Sequence, residues 1–151
     1  MKSILIASDH GGYKLKEKIK LFLKNKRFTV KDLGPYNEER CDYPKYASNL
    51  AQEISKGNYQ KGILICKTGI GNSIVANRFP SVRAALCYNL KSAKLSREHN
   101  DSNILVLGSL FVSLPLAKRM ISLWLSAGFK GGRHKKRLNQ IRDIEKNIKE
   151  K

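Results

Sequence analysis

Short continuous apolar runs alternate along this chain with stretches where apolar residues return every three or four positions. Residues 4–7, 63–66 and 104–107 are unbroken apolar runs, the pattern of strands buried on both faces. Residues 28–30, closed by Gly34-Pro35, and residues 82–87 predict two more strands. Leu15, Ile19, Phe22 and Leu23 mark one face of a first helix, with Lys14, Lys18, Lys20 and Lys24 mostly outside it. Tyr46, Ala47, Leu50, Ala51 and Ile54 mark a second, stopped by Gly57-Asn58. Residues 69–77 predict a glycine-led helix, 90–99 a fourth and 115–127 a fifth. After Gly128, Gly131 and Gly132, residues 134–151 predict a last, very polar helix with only Leu138, Ile141, Ile144 and Ile148 along one stripe.

Alternation of this kind predicts a doubly wound, Rossmann-like α/β fold: a parallel five-stranded sheet in an αβα sandwich. No repeat or linker interrupts it, so residues 1–151 are read as one domain. The stripe on the last helix needs a surface that a finished sandwich does not offer, and a second subunit is the expected one. In open parallel sheets ligands bind beyond the carboxyl ends of the strands. Three polar or glycine-rich clusters fall there: Ser8-Asp9-His10, Cys66-Lys67-Thr68-Gly69-Ile70-Gly71 and Gly108-Ser109-Leu110.

The second cluster is the most informative. Its glycines admit a ligand close to the backbone, and the helix that follows offers free N–H groups and a positive dipole end. Cys66 at its rim is expected to have a lowered thiol pKa there. An ordinary strand-to-helix turn beside a buried cysteine fits the same residues equally well. Three better-known loops do not fit. A Walker A loop has Cys66 and Lys61 where it needs glycine, and a dinucleotide fingerprint has Ile74 in place of its third glycine. A cysteine phosphatase would carry arginine at the place of Asn72. Arg133 and Arg137, about one helical turn apart, form a second constellation able to clamp a phosphate or merely to face solvent.

Composition adds one question. Lys and Arg number 30 against 12 Asp and Glu, a formal charge of +18. Nucleic acid, a membrane surface or plain solvation could each explain it, but the lysines are spread over several helices and aromatics are only 8%. That argues against a nucleic-acid partner, which wants a focused basic face with aromatic platforms. No stretch approaches the roughly 20 apolar residues of a membrane span. Three widely spaced cysteines, Cys41, Cys66 and Cys87, suggest neither a disulfide framework nor a zinc site. A cytoplasmic protein is expected.

Five motifs in register carry a family resemblance: Ser8-Asp9-His10-Gly11-Gly12, Arg40-Cys41-Asp42-Tyr43-Pro44, Cys66 to Gly71, Ser96-Arg97-Glu98-His99-Asn100-Asp101 and Gly131-Gly132-Arg133-His134. Together they resemble the ribose-5-phosphate isomerase B family, which also takes in galactose-6-phosphate and allose-6-phosphate isomerases, along essentially the whole chain. The resemblance implies an aldose–ketose isomerase of the non-oxidative pentose phosphate pathway, working through an enediolate with no metal or cofactor. It implies Cys66 as the base and His99 as the ring-opening group, with Asp9 helping. It implies Thr68 and Asn100 as sugar contacts, and the N–H groups of Lys67, Thr68, Gly69, Ile70 and Gly71 as oxyanion donors. His10, Arg133 and Arg137 would hold the phosphate, and Tyr43 would line the site. It also implies a homodimer, or a tetramer, whose active sites are shared, the arginines of the last helix reaching the partner's sugar. His99 with Asp42-Tyr43 favours the ribose substrate over galactose 6-phosphate, allose 6-phosphate stays an alternative, and the intact set of Asp9, Cys66, Thr68 and His99 argues against a merely sugar-phosphate-binding protein. Two positions depart from the family pattern: Lys67, usually glycine, and Leu110, usually a phosphate-binding arginine.

Overall fold

Residues 2–151 are described by the computed structural model. Strands β1 (Ser3–Ser8), β2 (Thr29–Asp32), β3 (Gly62–Cys66), β4 (Ala84–Leu86) and β5 (Ile104–Gly108) form one sheet in the order β2-β1-β3-β5-β4. Every pairing is parallel. The helices are α1 (Tyr13–Asn25), α2 (Tyr43–Ser55), α3 (Ile70–Ala76), α4 (Leu90–Asn100), α5 (Leu114–Ser126) and α6 (Arg133–Lys149), with a 3-10 turn at His10–Gly12 ahead of α1. Alternate residues of the central strands feed two cores. Ile6, Ile65 and Leu107 meet α1, α4 and α5 around the fully buried Trp124, while Leu5, Leu64 and Val106 meet α2 and α3. This is the expected doubly wound sandwich.

The differences from expectation lie at the edges of the sheet. β4 keeps only three residues of the run 82–87, and side chains anchor its amino end. Ser81 takes a left-handed φ of 63°. Asn103 Oδ1 accepts the Arg83 N–H at 2.7 Å, and Asn77 brackets Ala84 through both its amide atoms. β2 runs one or two residues later than its apolar centre and ends on Asp32, a carboxylate held by Lys16 and Lys20. A polar edge strand of this kind breaks the rule that both faces are apolar. α2 starts three residues before its apolar repeat, at Tyr43, after the extended Asp42 and with Pro44 in its first turn.

α6 stands apart from the layers. It has no buried residue, and Ile141, Ile144 and Ile148 are 51%, 58% and 70% exposed on the single chain. Its anchors are polar: Glu145 accepts the Ser81 N–H at 2.9 Å, and the preceding loop is tied down by Lys130, which donates its N–H to the Glu98 carbonyl at 3.0 Å.

Candidate active site

Parallel strands end together, so the three predicted clusters meet at one edge. Asp9 follows β1 in extended conformation, and its Oδ1 accepts the Gly12 N–H at 3.0 Å. Its side chain is buried. Ser109, after β5, donates its N–H to the Cys66 carbonyl and its Oγ to the Gly11 carbonyl, both at 2.9 Å. Leu110 donates its N–H to the Lys67 carbonyl at 3.0 Å. These bonds stitch the ends of β1, β3 and β5 into one floor. Gly108 is required there, since a Cβ would run into the Thr68 carbonyl.

The Cys66 loop turns back through Gly69, whose φ of +83° lies in the left-handed region. That turn aims the Gly69 N–H at Cys66 Sγ, 3.1 Å away. Tyr88 holds the loop from the side, its hydroxyl donating to the Thr68 carbonyl at 3.2 Å. Tyr43 packs directly on Gly71, where a Cβ would clash with its ring. Two of the N–H groups expected to face a ligand are taken up inside the loop: Gly69 by the sulfur and Ile70 by Thr68 Oγ1 at 3.2 Å. Cys66 is buried, and the expectation of a lowered thiol pKa is overturned. Burial pushes the thiol up, the N–H groups of Gly69, Asn72 and Thr68 offset this only in part, and the Asp9 carboxylate adds to the rise.

His10 stands beside this floor with Nδ1 bracketed by Cys41, 3.0 Å from its carbonyl and 3.2 Å from its N–H. The segment leading to Cys41 is pinned from beneath by Lys16, whose side chain has no exposed surface. Its ammonium donates to both Asp32 oxygens at 2.8 and 2.6 Å and to the Pro35 carbonyl at 2.8 Å. Asp32 Oδ1 in turn accepts the Gly34 N–H at 2.8 Å. Burial would raise the Asp32 pKa, but the hydrogen bonds from Lys16, Lys20 and Gly34 outweigh it and hold the carboxyl below its ordinary range. Sequence reasoning missed this support. The only signal was a lysine on the helix face that also carries Leu15, Ile19 and Leu23.

Lys67 has an ordinary negative-φ backbone, since it is absent from the positive-φ residues. Its Cβ stands over Gly11, at van der Waals distance from where a side chain there would begin. Leu110, 61% exposed, projects from the same edge.

His99, Asn100, Arg133 and Arg137 are not with Cys66. α4 follows the carboxyl end of β4 and runs back, so its last residues lie where β5 begins, at the amino edge of the sheet. The Gly62 N–H, at the start of β3, donates to the Asn103 carbonyl at 2.9 Å and confirms the placement. The five residues of β3 separate the two edges, roughly 16 Å at the rise of a parallel strand. Asp101 ends α4 in left-handed conformation, φ 46°, with its carboxylate on Arg97 at 2.9 Å and Arg83 at 3.3 Å. Just before it, the His99 ring stacks on His134 of α6, centroids 4.2 Å apart and 10° from parallel. Arg133 and Arg137 share that helix, one turn apart. The single chain therefore holds the expected site residues in two separate clusters. One, at the carboxyl edge, holds Asp9, His10, Tyr43, Cys66, Lys67 and Thr68. The other, at the amino edge, is basic and imidazole-rich. Among the described residues no three His, Cys, Asp or Glu side chains gather closely enough to hold a metal ion.

A family model described as Ribose/Galactose Isomerase matches residues 4–141. Ribose-5-phosphate isomerase B of Escherichia coli (strain K12) is 46% identical over 145 residues, which are 96% of this chain and 97% of that protein. The solved ribose-5-phosphate isomerase B of Clostridium thermocellum superposes with a TM-score of 0.94 at 47% identity, covering 97% of this chain and 99% of that one. The enzyme of Mycoplasma genitalium, solved with ribulose-5-phosphate bound, gives a TM-score of 0.92 at 42% identity over 95% of this chain and 96% of that one. With the order of motifs, the stitched carboxyl edge and the full-length match in agreement, the chain belongs to the ribose/galactose isomerase family.

Proposed function

We propose that this chain interconverts D-ribose 5-phosphate and D-ribulose 5-phosphate through an enediolate. The observation that carries the reading is Cys66: a buried sulfur at the end of the central strand, under directed N–H groups and beside Asp9, in a chain matched end to end by ribose-5-phosphate isomerases B. The thiolate takes the proton from C2 and returns it to C1, while O1 gains a proton and O2 loses one. Thr68 and the loop N–H groups left free hold the enediolate oxygen. His10 faces the phosphate end.

The reaction needs a group to open the furanose ring and cations for the phosphate, and both sit on the opposite edge of the same chain. We infer a homodimer in which the His99, Asn100, Arg133 and Arg137 half of one copy closes over the Cys66 half of the other. The exposed stripe on α6 and the exposed Ile70, Ile74 and Phe111 around the carboxyl edge supply apolar surface for that contact. The cations of the second copy also act on Cys66, drawing the thiol back down towards a usable base. A reducing compartment such as the cytosol keeps that sulfur free.

The deciding experiment follows ribose 5-phosphate in deuterated water with a chelator present, reading ribulose 5-phosphate formation and deuterium uptake at carbon. Wild type should show both, and Cys66→Ala should lose both by about 10²–10⁴-fold. Undiminished turnover in Cys66→Ala would refute the mechanism. Parallel runs with allose 6-phosphate and galactose 6-phosphate rank the substrates.

A further inference from the structure

Asn72 lies in the first turn of α3, on the face that packs against the sheet, and only 1% of it is exposed. Ala76, one turn on, is fully buried in the core formed with Leu5, Ala7 and Leu64. An aliphatic residue would suit such a place without needing any partner. Asn72 instead brings a carboxamide, with two N–H donors and an acceptor. Among the described residues its Nδ2 has no hydrogen-bond partner. A buried unpaired donor destabilises a fold and calls for an explanation.

The explanation is next to it. The main-chain N–H of Asn72 is one of the groups that point at Cys66 Sγ, with those of Gly69 and Thr68. The idle donor thus belongs to a residue already at the sulfur. A neutral thiol is a weak acceptor, and in this structure it takes a 3.1 Å bond from Gly69. A thiolate binds donors far more strongly, as ionised acceptors do.

We propose that Asn72 is a positioning residue for the base: its buried carboxamide, idle while Cys66 is a thiol, turns onto Sγ and donates to the thiolate. The idea rests on the reading of Cys66 as the base. It assigns to Asn72 a gain in the charged state that offsets its unpaired amide in the neutral one.

The test measures iodoacetamide alkylation of Cys66, followed on its own peptide by mass spectrometry across pH and without substrate. Wild type, Asn72→Leu and Asn72→Ala are compared. Removing the amide should move the alkylation midpoint up by about one pH unit, a tenfold smaller thiolate fraction below it. The kcat should fall by about the same factor with KM little changed, while the Tm of Asn72→Leu stays level or rises because an unpaired group is gone. A merely structural asparagine would shift Tm and leave the midpoint where it was. An unchanged midpoint in both variants overturns the proposal, and the Ala variant gives that reading if the Leu variant does not fold. A shifted midpoint in a chain that fails to isomerise ribose 5-phosphate upholds the Asn72–Cys66 contact and removes only the proposed reaction.

Discussion

Mixing two variants, each with one lesion, is the sharpest probe of the proposed divided site. Cys66→Ala removes the proposed base at the carboxyl edge, and His99→Ala removes the proposed ring-opening group at the amino edge. The two positions are separated by the five-residue length of β3, roughly 16 Å, too far for both to touch one five-carbon sugar from the same chain. In a shared-site dimer each pure variant has two broken sites. A mixed dimer gathers both lesions into one site and leaves the other intact. Random exchange makes half the dimers mixed, so the blend should recover about one quarter of wild-type activity. The assay denatures the two purified variants together, refolds them and measures ribulose 5-phosphate formation, with each variant refolded alone as control. If Cys66 and His99 served the same site from one chain, no mixed dimer would contain an intact pair. A blend no more active than its components would refute the arrangement.

Two further outcomes follow from the same contacts. Leu110→Arg should lower KM for ribose 5-phosphate by at least about tenfold, since a charged hydrogen bond to a phosphate contributes about 1.5–3 kcal/mol, roughly 10- to 150-fold; an unchanged KM would mean that no phosphate oxygen lies near that edge position. Asp32→Asn should destabilise the fold near neutral pH by up to about 3 kcal/mol, because the buried Lys16 loses its closest carboxylate and keeps only the more exposed Glu17 at 3.3 Å. The pH dependence has a definite sign. Asp32 titrates below its ordinary 3.8 when folded, so its contribution is complete above that value and is lost as pH falls through the folded one. Melting curves collected from about pH 6 to pH 2 should show wild type converging on the variant at the acid end. A gap that stays constant across that range would remove Asp32 from the account.

The central strands could be read from the chain because burial on both faces leaves no polar residue to blur them. The edges could not. Asp32 looks like the end of a strand until Lys16 is seen beneath it, and an isolated lysine among apolar helix positions does not announce its partner. Asn77 and Asn103 anchor the start of β4 by side-chain bonds that no periodicity encodes. At the site, the Cys66 loop was legible because glycine spacing and strand position both mark it. The acidity of its sulfur was not, since burial and N–H donors act in opposite directions and only coordinates decide between them. The motifs join His99 and Asn100 to Cys66 in one chemistry without saying whether they come from one chain. Connectivity alone argues that they do not, for a helix that leaves the carboxyl end of one strand must end near the amino end of the next. Asn72 escaped notice because one polar residue in a helix pattern carries no sign of its burial.

Trp124 gives the molecule a built-in optical reporter. It is the only tryptophan in the chain, fully buried, and its Nε1 donates to Ser102 Oγ at 2.8 Å. Ser102 lies just beyond the turn that carries His99 and Asn100, and the Arg97 guanidinium and Lys61 ammonium stand over the indole at 5.9 and 5.5 Å. Its fluorescence therefore originates beside the basic cluster of the amino edge and far from Cys66. The proposed docking of a second copy on that edge can be watched without attaching a dye, while chemistry at the sulfur stays dark to it.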